Sequence, residues 1–108
     1  MTNISFSNID FNTPVGEYLE VMISRLPNGA KLVIQALAKR GYNKEDLSLK
    51  AGVRRGELNF AVCWVEGLGL VEFDKSGRQK FYKLTTLGEL AFEKFNNLFL
   101  ELKDEEKE

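Results

Sequence analysis

The stretch NKEDLSLKAGVRRGELNFAVCWVEGLGLVEFDKSGRQKFYKL, residues 43–84, decides the fold. Asn43 is placed to start a helix, with Asp46 three residues on in an approximate capping-box spacing. Leu47 and Ala51 face a core, and Gly52 makes a turn. Leu58, Ala61, Val62, Val65 and Leu68 then fall on one face at 3.6-residue spacing, which predicts a second helix over about 54–67, ended by Gly69. Leu70 to Phe73 reads as a strand, Asp74 to Lys80 as a loop with Ser76-Gly77 at its tip, and Phe81 to Leu84 as the return strand. Tyr82 and Leu84 share one strand face, Phe81 and Lys83 the other. Two helices about a tight turn, followed by a hairpin over about 70–84, make the centre of the chain.

Upstream, Thr13-Pro14 is a helix start, with Thr as N-cap and Pro at the first helical position. Val15, Leu19, Met22, Ile23 and Leu26 form its stripe, and Leu26-Pro27-Asn28-Gly29 breaks it. A further helix over 29–40 turns Leu32, Val33, Ala36 and Leu37 inward, with Asn28 as its cap. Downstream, Thr85 or Thr86 caps a last helix over about 86–103, and Thr86 with Glu89 has capping-box spacing. Its stripe of Leu87, Leu90, Ala91, Phe95, Leu98 and Leu102, widened by Phe92 and Phe99, is broader than one small domain needs to cover. Residues 1–12 are expected to be an arm, either loose or packed on a partner subunit, and residues 13–108 one domain. The expected fold class is α+β, mainly α: a winged helix-turn-helix with a two-stranded wing and terminal dimerisation helices.

Composition narrows the function. A chain of 108 residues holds one core, and no apolar run is long enough to span a bilayer. Residues 1–12 contain no basic residue, so no signal peptide is expected. One cysteine, Cys63, excludes an internal disulfide and fits a reducing cytoplasm. There is no histidine, which removes histidine acid–base catalysis and makes a metal site improbable. No nucleophile–base pair or phosphate loop is present, so neither an enzyme nor a cofactor is expected. The net charge is only −1, yet its distribution is uneven. Residues 31–83 carry eleven Lys and Arg against six Asp and Glu, a net +5; residues 84–108 carry three against seven, a net −4. The cations sit on the helix-turn-helix and hairpin, where a polyanion would be met.

Gly52-Val53-Arg54-Arg55 through Val65-Glu66 to Gly69-Leu70-Val71 resembles the recognition helix and exit of winged-helix regulators of the MarR, PadR and ArsR type. Tyr82-Lys83-Leu84-Thr85 and Gly88 look like the segment that closes their wing and opens their last helix. The resemblance covers residues 29–95. It implies a homodimer built from the terminal helices, with two recognition helices in successive major grooves of double-stranded DNA. In place of the usual Ser or Thr at the recognition-helix start stand Arg54, Arg55 and Gly56, and the outward face carries Phe60, Cys63 and Gly67.

The candidate DNA-binding residues are Lys50, Arg54, Arg55, Asn59, Phe60, Lys75, Arg78 and Lys80. Arg54 and Arg55 are suited to phosphate or to two-point contact with guanine; their alternative is a pair of solvated arginines that the helix dipole disfavours. Asn59 suits adenine and Phe60 a thymine methyl, or Phe60 packs on the arm or a partner. Lys75, Arg78 and Lys80 suit phosphate or the minor groove, or simply solvate a turn. Leu87, Leu90, Ala91, Phe95, Leu98, Phe99 and Leu102 are the candidate dimer interface. Two other functions compete: a protein-interaction winged helix in a transcription or chromatin assembly, motivated by the apolar outward face, and an architectural DNA-binding protein.

Overall fold

The structure, a computed structural model, describes residues 5–99 apart from the side chain of Ser76. The elements in chain order are α1 (Val15–Ser24), α2 (Asn28–Leu37), β1 (Tyr42–Asn43), α3 (Lys44–Ala51), α4 (Arg55–Gly67), β2 (Val71–Ser76), β3 (Gln79–Leu84) and α5 (Thr86–Lys94). Ile23, Val33, Ile34, Leu47, Leu58, Val65 and Leu70 form a fully buried centre drawn from the helices and the foot of the hairpin. All the side chains counted as buried are apolar apart from the Tyr82 hydroxyl.

The helix-turn-helix is fixed by a few local bonds. Asn43 Oδ1 accepts from the Asp46 N–H at 2.8 Å, as its position before the acidic turn suggests. Gly52 ends α3 at φ 70°, a left-handed conformation that glycine adopts without strain. The Ser48 carbonyl accepts from the N–H groups of both Gly52 and Val53, while the Ser48 hydroxyl donates to the Val53 carbonyl at 2.6 Å. One residue thus closes the turn from both sides and sets the angle at which α4 leaves.

At the other end of α4, Gly69 turns at φ 80°, the Leu70 N–H reaches back to the Val65 carbonyl, and the Gly69 N–H to that of Glu66. These bonds form a Schellman closure. Thr85 then joins this exit to the last helix. Its N–H donates to the Leu70 carbonyl, its hydroxyl donates to the Gly69 carbonyl at 2.6 Å, and the same oxygen accepts from the Gly88 N–H at 2.9 Å. Thr85 is therefore the cap of α5. Thr86 with Glu89 does not form the expected capping box, because the chain becomes helical one residue earlier.

Other expectations shift as well. The hairpin is longer than expected: its strands pair as far as Ser76↔Gln79, leaving only Gly77 and Arg78 at the tip. Gly77 takes φ 65°, as the first position of a two-residue hairpin turn favours. A third strand joins it, with Tyr42↔Tyr82 and Asn43↔Phe81 giving the antiparallel order β1-β3-β2. The wing sheet thus has three strands where two were expected. The helix foreseen over 86–103 is interrupted at Phe95 (φ −108°, ψ 31°), and helix resumes over 96–99. Pro14 and Pro27 stand at the caps of α1 and α2, so Thr13 and Asn28 do not serve as caps; the Thr13 hydroxyl instead accepts from the Asp10 N–H. Within the arm, Phe6–Asn8 forms a 3-10 turn and the Phe6 ring lies 6.4 Å from that of Tyr18 on α1, so this part packs on its own chain.

Gly88 sits where a Cβ would fall 2.0 Å from the Leu70 carbonyl oxygen, whereas a Cβ at Gly56, in the first turn of α4, meets nothing within 4 Å. Gly88→Ala is expected to lower stability by about 2 kcal/mol through forced separation of α5 from the α4 exit. Gly56→Ala is expected to raise it by roughly 0.5 kcal/mol. Urea denaturation of the two variants measures both signs.

Candidate nucleic-acid interface

Leu58, Ala61, Val62 and Val65 anchor α4 in the core, which leaves Arg54, Arg55, Asn59, Phe60 and Cys63 on its exposed side. The helix therefore presents the face that sequence spacing assigns to it, and no other described element covers that face. Arg54 occupies the cap position and makes no side-chain capping bond. Arg55 lies 3.5 Å from Glu45 on α3, an ion pair open to solvent on both sides and accordingly weak.

The hairpin divides its charge between two faces. On one, Lys83 lies 3.1 Å from Asp74 and 4.0 Å from Glu72, so the cation is neutralised by its own sheet. The hydrogen bond and charge of Asp74 hold the Lys83 ammonium above the usual lysine range. The other face runs from Val71↔Leu84 through Phe73↔Tyr82 to Lys75↔Lys80. It is apolar at the foot, where burial raises the Tyr82 hydroxyl above its ordinary pKa, and cationic towards the tip. Directly opposed like charges work against the hairpin. Lys80 is held 4.4 Å from the Phe73 ring centroid, a cation–π contact that offsets part of the repulsion.

A cleft between the starts of α3 and α4 and the hairpin brings these cations together. Arg55, Arg78 and Lys80 line it with Asn43, Lys44, Glu45 and Gln79. Three of the expected residues thus meet at one place. Lys44 is the residue that sequence reading missed. It stands beside two acids in a capping turn, and the pairing of Tyr42 and Asn43 with Tyr82 and Phe81 carries that turn against the hairpin. Lys75 is exposed on the hairpin face opposite Lys80. Lys50 lies elsewhere, in a cleft between α2 and α3. Phe60 is 61% exposed and belongs to an apolar groove with Tyr18, Met22, Cys63, Trp64 and Leu68.

The residues expected at a dimer contact fall into two sets. Leu90 is exposed, and Leu87, Phe95 and Leu98 are half-buried, whereas Ala91 and Phe99 are buried in the chain's own core, Phe99 with its ring 5.4 Å from that of Phe92. Leu102 lies outside the described residues. Among the described residues, no group of three or more Cys, Asp or Glu is placed to hold a metal ion, and no helix is long and apolar enough to cross a membrane.

A helix-turn-helix braced by a β-hairpin and flanked by terminal helices is the winged-helix fold, and solved structures of that type are similar to this chain. NadR in complex with 4-hydroxyphenylacetate is 23% identical, with a TM-score of 0.63 over 96% of this chain and 82% of that one. HlyU from Vibrio cholerae is 17% identical, with a TM-score of 0.63 over 85% of this chain and 99% of that one. Mb0332 from Mycobacterium bovis, a possible ArsR-family transcriptional regulator solved as a homodimeric winged helix-turn-helix DNA-binding domain, is 18% identical, with a TM-score of 0.51 over 92% and 91%. No family model matches the chain, and no curated protein matches it in sequence.

Replacing Lys75 with Glu puts an opposite charge across from Lys80. Lys75→Glu is expected to stabilise the fold by about 0.5 kcal/mol, read as a higher midpoint in thermal unfolding. A lower midpoint would show that the Lys75–Lys80 pairing carries no repulsion.

Proposed function

We propose that the protein is a homodimeric DNA-binding transcriptional regulator, in which α4 of each subunit enters the major groove and the hairpin holds the adjacent backbone. The observation that carries this reading is the cationic cleft of Lys44, Arg55, Arg78 and Lys80, continued by Lys75, beside the uncovered start of α4. Opposed lysines oppose folding and gain a use where phosphate lies between them. Arg54, Arg55 and Asn59 are the residues that reach base edges, and Lys50 meets backbone farther along the duplex. Phe60 is assigned to the edge of the groove, against a thymine methyl. The homodimeric DNA-binding fragment of Mb0332, with the same fold, supports both DNA and self-association as the use of this architecture.

Dimerisation is assigned to the terminal helices. Leu90 and the half-buried Leu87, Phe95 and Leu98 provide the apolar contact, with Ala91 and Phe99 packed beneath them. A Cβ at Gly16 on α1 would lie 3.9 Å from Lys94 Nζ on α5, so both terminal helices are at one edge of the subunit. In such a dimer the half-sites are spaced about 10 bp apart, centre to centre, and the site is two-fold symmetric. Selection from random duplexes is expected to return such a motif. Absence of enrichment would favour an architectural role without sequence readout.

Salt dependence tests the backbone contacts. With at least about four phosphates engaged, affinity is expected to fall roughly a hundredfold between ~50 and ~200 mM salt, and Arg78→Ala is expected to flatten that slope by about one contact. Affinity independent of salt would refute the reading. Leu90→Glu is expected to shift sedimentation from dimer to monomer; an unchanged dimer would move the interface elsewhere.

A second reading follows from the apolar groove of Tyr18, Met22, Phe60, Trp64 and Leu68, which suits a protein partner. Phe60→Lys separates the two: a protein contact would be lost, whereas nonspecific DNA affinity would be retained or rise.

A further inference from the structure

Asp10 to Thr13 form a tight turn that presents a phenylalanine to solvent. The Thr13 N–H donates to the Asp10 carbonyl at 3.1 Å, the Asp10 N–H to the Thr13 hydroxyl at 2.8 Å, and the Asn12 N–H to Asp10 Oδ1 at 2.9 Å. The turn leads into α1, and before it the Phe6 ring, with the Arg25 guanidinium 5.0 Å from its centroid, holds the arm beside Tyr18. Phe11, second in the turn, lies clear of its own fold: it is 107% exposed, whereas Phe60, the next most exposed aromatic among the described residues, is 61% exposed. Farther along α1, Tyr18 and Met22 form an open apolar groove of about 420 Å³ with Phe60 and Trp64 of α4 and Leu68 after it. Gly67 lines the same groove, and a Cβ there would meet nothing within 4 Å, so the glycine leaves that wall open. An aromatic ring needs roughly 150 Å³.

We infer that Phe11 anchors a contact between two copies of this chain, each ring seated in the other copy's α1–α4 groove. Tyr18 lines both the hollow beside Phe11 and the groove, so ring and seat share one face. One two-fold rotation near Tyr18 then fills both seats at once, which is the self-complementarity that a two-fold contact requires. Phe11, Phe60, Val15 and Tyr18 are 107%, 61%, 59% and 37% exposed. With roughly 150–250 Å² for a whole aromatic side chain, they offer on the order of 500 Å² per copy and ~1,000 Å² for the pair, the lower bound of a specific interface. The contact is accordingly weak, with a Kd between about 1 μM and 1 mM. A ring at the tip of a hydrogen-bonded turn loses little freedom on docking, which favours so small a contact. The inference rests on the reading of the groove as a protein site and names its occupant; it depends neither on DNA binding nor on the α5 contact.

The test uses the full chain, with Leu90→Glu throughout so that a contact through α5 cannot supply proximity. One form carries Asn12→Cys, next to Phe11, together with Cys63→Ser; the other keeps Cys63 in the groove. The two are mixed at about 0.2 mM, within the affinity range above, and treated with a short bismaleimide. The expected product is a crosslinked pair joining position 12 of one form to Cys63 of the other. Its yield is expected to fall roughly tenfold when the first form also carries Phe11→Ser, and equally when the second carries Gly67→Glu. Both positions are open to solvent, so thermal midpoints are expected to stay unchanged; Phe60→Ser replaces Gly67→Glu if that midpoint falls. Undiminished yield with Phe11→Ser would overturn Phe11 as the anchor, and undiminished yield with the blocked groove would overturn the groove as its seat. Absence of any crosslinked pair would overturn the contact between copies, while use of the groove by a different protein would still be decided by Phe60→Lys.

Discussion

The Leu70 carbonyl is where this molecule is held together. The end of α4, the end of the hairpin and the start of the last helix all arrive there. The Thr85 N–H donates to that oxygen, and Gly88 passes so close that any side chain would collide with it. Thr85 ties the same region to the Gly69 carbonyl and caps α5 with the same hydroxyl. Because these groups belong to three elements, the angle between α4 and the hairpin is fixed by backbone geometry. A hinge at this point would separate Arg55 from Lys80 and open the cleft that they line.

At the opposite end of α4, Ser48 does a similar task for the turn at Gly52. Clamped at both ends and buried along one side, α4 carries its exposed residues on a rigid base. Precise placement matters for a helix that reads bases, since direct contacts depend on register while backbone contacts only set position. In the proposed complex the cationic side of the hairpin would supply positioning, and the Arg54–Asn59 stretch readout. The Glu45–Arg55 pair lies between the two, so Arg55 must leave Glu45 to take a base or phosphate partner, at small cost for an exposed pair.

Much of this was legible in the residues. The core stripe of α4, the Asn43 cap, the turn at Gly52 and the glycine tip at Gly77 are local devices, and local chemistry identifies them. What escaped depends on contacts far apart in sequence. A strand of two residues has no periodicity, so β1 became visible only through its pairing with Tyr82 and Phe81. That pairing also carries Lys44 into the cleft. Asp74 to Lys80 reads as a loop between the two strands because it holds no apolar side chain; its regular pairing comes from register imposed by the buried foot at Val71 and Tyr82. The break at Phe95 likewise has no glycine or proline to announce it.

The central claim is that the cations gathered between α4 and the hairpin meet a nucleic-acid backbone. It is tested most directly by mapping amide chemical-shift changes as a short duplex is added to isotopically labelled protein. The account predicts changes concentrated at Lys44, Arg54 to Asn59 and Lys75 to Lys80. Changes confined to Phe60, Cys63, Trp64 and Tyr18, or no changes at low salt, would contradict it.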